Sequence, residues 1–340
     1  MKKITCYLIV LLWLCSNVLA TSAKVESVAK IKEIGIISSN VVYHNNSLFF
    51  VNEEGLCKFD FNKKKKILVY NNKLREYSYL NIDGKQKKRY NVKFDFSRLK
   101  APYLSIGAKG KTVFFSAVIN DDKGFIERGL YKFDLSNNNI SQLIIGKQEK
   151  VKLRKYNYSY EINKFPWSYY KVLSTNDNNL IIFERRNIDT AKSFVCAYNI
   201  KKKKERIFYN RDAESLSNPY IICNKSNCKL NFTAYLSEGK YALALTNLKD
   251  SEVKLDTRFI ESGLWDAEDD LLYGFSQNNI YLMDLKSGKA NLLINFLSHK
   301  HLFDDSSRIP FLIKHLERGI NNQLFFVCDK GEVYEIRIIK

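Results

Sequence analysis

A chain of 340 residues with 55 basic and 36 acidic side chains carries a formal charge of +19, and 45% of its residues are hydrophobic and 14% aromatic. That hydrophobic share excludes a disordered chain, and the length supplies core for one large all-β domain or two ordinary ones. Beyond the N-terminus no segment has the 18 uncharged apolar residues of a membrane-spanning helix.

The first 20 residues read as a secretory signal. Lys2 and Lys3 form the charged start, an apolar run extends through Leu14, and Val18-Leu19-Ala20 is a small-residue cleavage end. Cleavage after Ala20 leaves a single domain, residues 21–340, expected in a periplasm or outside the cell. Cys15 follows Leu14 where a lipid-anchored chain wants a small residue, so no lipid anchor is expected. The mature chain keeps five cysteines. Cys223 and Cys228, separated by Asn-Lys-Ser-Asn, suit a disulfide-closed hairpin in an oxidising compartment. The other three, Cys57, Cys196 and Cys328, leave at least one free and buried thiol. A metal site at Cys223 and Cys228 lacks nearby histidines.

From there on, helical periodicity is almost absent. Short β-branched and aromatic runs alternate with Asn, Asp and Gly turns. Val28 to Ile34 is an alternating strand with no unit of its own. A recurring phrase follows: Gly55-Leu-Cys-Lys-Phe-Asp60, Gly129-Leu-Tyr-Lys-Phe-Asp134 and Phe194-Val-Cys-Ala-Tyr-Asn199, with weaker copies at Leu243 to Asn247, Ile280 to Asp284 and Val333 to Ile336. Each is preceded by an apolar strand, such as Leu48-Phe-Phe-Val51, Val113-Phe-Phe-Ser116 or Leu324-Phe-Phe-Val327, and all but the last by a polar turn and another strand afterwards.

Four strands per unit and six units result. Asn279 to Lys289, Asn-Ile-Tyr-Leu-Met-Asp-Leu-Lys-Ser-Gly-Lys, resembles the third-strand-and-turn consensus of β-propeller blades. The resemblance covers most of the mature chain and implies an all-β, six-bladed β-propeller. The last unit lacks an outer strand, and pairing Val28 to Ile34 outside Val333 to Lys340 would close it with the N-terminal strand. The resemblance is architectural and implies no activity.

Two insertions, 71–100 and 146–168, break the spacing. Residues 73–100 hold nine basic and three acidic side chains, and residues 147–164 six and two. Lys87-Lys88-Arg89-Tyr90 and Arg154-Lys155-Tyr156, with Tyr158, Tyr160 and Trp167, interleave cations with aromatics. An AT-rich genome favours Lys and Asn everywhere, whereas this charge is concentrated on one rim. Basic groups with Tyr and Trp suit an acidic protein partner or an anionic glycan. Nucleic acid has the same requirement, but export removes it. Alternating Tyr156, Tyr158 and Tyr160 also fit one packed face of an additional strand. Lys63 to Lys66 and Lys201 to Lys204 read as solvated turns on the opposite face.

Catalytic groups are thin. Of the four histidines, His299 and His301 flank one lysine without acidic ligands at metal spacing, and no G-x-S-x-G, P-loop or H-E-x-x-H occurs. Asp266, Glu268, Asp269 and Asp270 read as a hairpin turn, with a calcium site as the alternative. Arg308-Ile309-Pro310 matches the short motif of sialidases, but it lies near the C-terminus and the Ser-x-Asp-x-Gly-x-Thr-Trp box is absent, so no catalytic residue is carried over. The expectation is an exported, monomeric, non-catalytic propeller without cofactor or metal. It binds an acidic protein, for instance as an immunity or inhibitor protein against a periplasm-targeted toxin. The alternative is a carbohydrate-active or carbohydrate-binding propeller for an anionic glycan, with Glu161, Tyr169 and Asp177 as the nearest acid–base candidates.

Overall fold

A computed structural model describes residues 24–71, 75–80, 86–95, 104–106, 110–120, 126–137, 139–145, 149–155, 158–164, 167–174, 179–187, 193–209, 216–224, 227–237, 240–247, 254–256, 262–266, 271–276, 278–284, 287–299 and 312–339. The expected signal, residues 1–20, and the Arg308-Ile309-Pro310 motif lie outside them.

The described chain is all-β and propeller-like, a succession of small antiparallel sheets. The N-terminal strand is β1 (Lys24–Lys30). Sheet I joins β2 (Val42–His44), β3 (Ser47–Asn52), β4 (Gly55–Asp60) and β5 (Lys65–Asn71) in chain order. A hairpin of β6 (Arg75–Leu80) and β7 (Gln86–Asp95) leads into sheet II, formed by β8 (Leu104–Ile106), β9 (Thr112–Asn120), β10 (Ile126–Asp134) and β11 (Asn139–Ile145). A second hairpin, β12 (Glu149–Lys155) and β13 (Tyr158–Lys164), precedes sheet III: β14 (Trp167–Ser174), β15 (Leu180–Asn187), β16 (Ser193–Asn199) and β17 (Lys204–Tyr209). Sheet IV contains β18 (Leu216–Asn224), β19 (Asn227–Ser237), β20 (Lys240–Asn247) and β21 (Lys254–Asp256). Sheet V contains β22 (Ser262–Asp266), β23 (Leu271–Ser276), β24 (Asn279–Asp284) and β25 (Lys289–Asn295). Sheet VI is β26 (Ile313–Arg318), β27 (Gln323–Cys328) and β28 (Val333–Ile339), with β1 as its fourth strand. The first strands touch in the order β2, β8, β14, β18, β22, β26, and β26 touches β2.

Unbroken apolar runs occur where a strand is buried on both faces, because alternate residues then enter two different cores. In β3, Leu48 and Phe50 pack toward sheet VI, with Phe325 and Val327. Phe49 and Val51 pack toward sheet II, with Val113, Phe115, Tyr131 and Phe133. β27 repeats the pattern. Its Phe325 and Val327 join sheet I, and its Leu324, Phe326 and Cys328 join Phe275, Ile280 and Phe296 of the sheet V region. Phe114 of β9 packs instead on Val172, Ile181 and Phe183 of sheet III.

The recurring Asp or Asn at the end of the third strand caps the turn that follows. A carboxylate or amide oxygen there accepts backbone N–H groups that the ladder has released. Asp60 Oδ1 accepts from Asn62 and Lys63 at 3.0 and 3.2 Å. Asp134 accepts from Ser136 at 2.9 Å, Asn199 from Lys202 at 2.8 Å and Asp284 from Ser287 at 3.3 Å. In three of these turns a residue takes the left-handed conformation: Lys64, Lys203 and Gly288, at φ 47°, 50° and 73°. Lys63, Lys64 and Lys201 to Lys204 are exposed, as a solvated turn requires. The strand after the turn carries one extra residue in sheets I, II, III and V, namely Val69, Leu143, Phe208 and Leu293. Such a bulge breaks strict alternation. It lets consecutive residues, Val69 with Tyr70 and Leu293 with Ile294, pack on the same apolar layer, and leaves Leu68 and Leu292 exposed.

The N-terminal strand pairs antiparallel with β28, from Lys24 opposite Ile339 to Lys30 opposite Tyr334. It starts and ends earlier than the alternation of Val28 to Ile34 suggests. The Ile31 N–H still reaches the Val333 carbonyl at 2.9 Å, but a turn then begins, with Ile34 N–H on Ile31 O and Gly35 at φ 74°. Val28 is buried in the core shared by sheets V and VI. Lys30 Nζ lies 2.6 Å from Glu332 Oε1, and the Tyr334 hydroxyl donates to Glu332 Oε2 at 2.9 Å. Burial pushes the Glu332 carboxyl up, but hydrogen bonds from Lys30 and Tyr334 with the Lys30 charge outweigh it and hold it below the usual carboxylate range. Gly331 is required beside it: at φ 76°, an added Cβ would lie 2.3 Å from the Ile37 carbonyl oxygen.

Deleting residues 21–34 removes this ladder, at roughly 1 kcal/mol per hydrogen bond, together with apolar burial. The expected outcome is a single denaturation transition at a clearly lower midpoint for the whole domain. Equal midpoints for the intact and shortened proteins would remove β1 from the structural unit.

Candidate functional site

Both basic insertions fold back on themselves as hairpins. In the first, Tyr77 stands opposite Arg89, Ser78 opposite Lys88 and Tyr79 opposite Lys87, so the basic run lies within a ladder. Tyr90 falls in its irregular stretch, where Tyr90 and Asn91 face the single residue Glu76. Further along, β7 leaves β6 and pairs with β9, Lys93 opposite Asn120 and Asp95 opposite Val118. β8 occupies the same edge of β9 nearer its start, with Leu104 opposite Phe115. The hairpin is therefore anchored at the end of sheet II where β9 turns into β10.

The second hairpin is a two-stranded sheet of its own, with Arg154 opposite Ser159, Lys155 opposite Tyr158 and Leu153 opposite Tyr160. Tyr158 and Tyr160 thus sit at alternate positions of an additional strand, and Tyr156 lies outside the described residues. Trp167 opens β14 opposite Asn187. No ladder joins the two hairpins among the described residues. Each lies between the outer strand of one sheet and the first strand of the next, so the alternation of strand direction brings both out at the same end of the sheets. Tyr77 and Tyr79 escaped the sequence reading; their alternation in Arg75 to Leu80, opposite a basic run, was the available signal.

Cys223 and Cys228 stand directly opposite each other, flanked by the pair Asn224 and Asn227. Their side chains lie outside the described residues. The other three cysteines are free and buried. Burial, with the Glu54 charge, pushes the Cys57 thiol up to about 11, and its Sγ–H donates to Asn52 Oδ1 at 3.4 Å. Burial likewise raises Cys196 and Cys328. These thiols stay protonated near neutrality and are not nucleophiles.

Where the first strands meet, polar side chains serve the backbone. Asn40 grips Leu104 by two bonds, its Nδ2–H to the Leu104 carbonyl at 3.1 Å and the Leu104 N–H to its Oδ1 at 2.7 Å. Glu317 Oε1 accepts the Tyr43 N–H at 2.9 Å, and buried His315 donates from Nε2 to the Val41 carbonyl at 3.0 Å. Nothing in the sequence pattern pairs β2 with β26 residue by residue, so this junction was not foreseen. Its His and Glu are committed to the free edge of β2, which leaves them structural. His44 packs against Gly110, where an added Cβ would stand 1.9 Å from its Nε2, and burial lowers its pKa. His299 Nδ1 lies 2.9 Å from the Asn295 carbonyl, and His301 lies outside the described residues.

Among the described residues no group of three His, Cys, Asp or Glu could hold a metal ion, and no helix is long and apolar enough to cross a membrane. Asp266 ends β22 opposite Leu271; Glu268, Asp269 and Asp270 lie outside the description. Of the acid–base candidates, Glu161 stands opposite Lys152 and Tyr169 opposite Arg185, while Asp177 lies outside.

No protein-family profile and no curated protein sequence matches the chain. Solved structures do. An oligogalacturonate lyase in complex with manganese is similar at TM-score 0.52 and 11% identity, over 87% of this chain and 74% of that one. The oligogalacturonate lyase of Vibrio parahaemolyticus is similar at TM-score 0.52 and 11% identity, over 86% and 74%. A chain of the nidogen/laminin complex follows at TM-score 0.50 and 8% identity, over 83% and 85%. At these identities the likeness is one of fold.

Replacing Glu317 by Ala leaves the Tyr43 N–H without its acceptor, and a stability loss of about 1–3 kcal/mol is expected in chemical denaturation. Glu54→Ala, which removes only the exposed partner of Lys66, is expected to cost less than about 1 kcal/mol. Equal small losses would show that the junction does not depend on Glu317.

Proposed function

We propose that the chain is an exported, monomeric, six-bladed β-propeller, a single domain of residues 21–340, that binds an acidic protein without catalysis. One observation carries the reading: the hairpin holding Lys87, Lys88 and Arg89 is tied by backbone pairing to the β9–β10 end of sheet II. A basic segment held in a ladder has lost its conformational freedom before a partner arrives, which lowers the ordering cost of binding. The net charges of 73–100 and 147–164, +6 and +4, supply long-range attraction for an acidic surface. Tyrosines and arginine supply the contact chemistry. The count of six blades, closed through β1, draws support from six sheets whose first strands touch in cyclic order.

A second reading, an anionic glycan as ligand or substrate, is favoured by the fold likeness to two oligogalacturonate lyases. The narrower role of immunity protein draws no support from any comparison. Capture from periplasmic extract by the mature protein, and by a variant with Lys87, Lys88, Arg89, Arg154 and Lys155 changed to Ala, tests the first reading. The variant is expected to lose the partner, and equal recovery would discard the hairpins as the interface. Turnover of a uronate polymer by the unmodified protein would move the conclusion to the second reading.

Export also bears on Cys223 and Cys228. Their opposed backbone positions suit a cross-strand disulfide. It would form by thiol–disulfide exchange with an oxidising disulfide-donor protein, which takes up both electrons and both protons as two thiols. Protein recovered from an oxidising compartment should gain alkylation at these two cysteines only after reduction. Alkylation without reduction would exclude the bond.

A further inference from the structure

We propose that the acidic partner docks as an added β-strand along the free edge of β6, with its carboxylates at every second residue. The inference rests on the hairpin being the partner-binding site and names how that site reads its ligand. Two independent placements carry it. The first is the edge. β6 ends the path of the six-stranded sheet, and among the described residues no strand lies on its far side. An unpaired edge is a template for another extended chain. The outer strands β5, β11, β17 and β25 each interrupt their ladder with a bulge on the outer strand itself. In the β6–β7 hairpin the extra residue lies on β7, so β6 runs in regular register from Tyr77 to Leu80.

The second placement is the face. Strand residues alternate faces, and cross-strand partners share one. Tyr77, Arg89, Tyr79 and Lys87 therefore occupy one face of the hairpin, and Ser78 and Lys88 the other. The consecutive basic run is divided by the ladder into a pair with tyrosine neighbours and a lysine on the opposite side. Cations two residues apart on a strand are separated by about 6.6–6.8 Å, the same repeat that a bound extended peptide presents on one of its faces. Carboxylates at alternate peptide positions thus share a face and a repeat with Lys87 and Arg89, one strand further on across β6, whereas a block of consecutive carboxylates places half on the other face. A glycan chain has the charge but lacks the backbone N–H and C=O groups needed to extend a sheet.

The test uses the mature protein and three labelled probes followed by fluorescence anisotropy: a short peptide alternating Glu and Thr, a peptide of the same composition with the Glu residues in one block, and the alternating peptide N-methylated at every amide. Oligogalacturonate serves as the glycan arm. The alternating peptide is expected to bind tightest and the N-methylated one not at all. Lys87→Ala and Arg89→Ala should each weaken binding roughly two- to fivefold, and by more than Lys88→Ala does. Equal binding of alternating and block peptides, equal effects of Lys88→Ala and Arg89→Ala, or tighter binding of oligogalacturonate would each overturn the strand-addition proposal. If partner capture still fails for the five-residue variant, the hairpins remain the interface and only strand addition is lost. If that variant captures normally, the functional reading itself fails.

Discussion

Among the described residues the buried apolar layers lie between sheets. A sheet whose second strand reads Leu-Phe-Phe-Val is apolar on both faces, and each face must be covered by a neighbour, because exposed aromatic and aliphatic area costs about 25 cal/mol per Å². The packing shows the consequence. Phe49 and Val51 belong to the layer between sheets I and II, Leu48 and Phe50 to the layer between I and VI, and Phe326 to the layer between V and VI. Phe114 continues the series between II and III. A stack obeying this rule has no natural end, since any terminal sheet would expose an apolar face. β26, in the last sheet, touches β2, in the first.

The same constraint divides the labour within the molecule. Inside the stack, polar groups are spent on the backbone: Asn40 on Leu104, Glu317 on Tyr43, His315 on Val41, Ser39 on the Val51 N–H. Thiols buried there are held protonated. Two segments interrupt the repeat. The two hairpins carry much of the excess positive charge, and the β6–β7 hairpin is coupled to the scaffold through three residues of β7.

Much of this architecture is legible in the sequence, and the reasons are local. Burial on both faces writes itself as runs such as Leu48 to Val51 and Leu324 to Val327. The need to cap released N–H groups writes itself as Asp60, Asp134, Asn199 and Asp284 at one position of the unit. The bulges are not legible, because Leu68-Val69-Tyr70 and Leu292-Leu293-Ile294 look the same with or without an extra residue. Nor is the first inserted hairpin. Lys87 to Tyr90 has neither apolar alternation nor β-branched residues, and its strand conformation comes from pairing with β6 rather than from its own composition. The junction of Glu317 with Tyr43 joins residues 274 apart in the chain and has no local trace.

The sheet that unites β1 with β28 has a temporal meaning as well. Lys30 and Glu332 are separated by 302 residues, and bringing together the ends of so long a loop carries an entropic cost of about 5 kcal/mol. Contacts this remote form after the local hairpins that bring them within reach. A chain emerging from a ribosome N-terminus first therefore presents Val25 and Val28 long before their counterparts on β28 exist. During that interval the first strand is an unpaired apolar segment, and its sheet cannot form until β28 arrives. Until β28 is made, this strand is open to chaperones or to pairing with another copy.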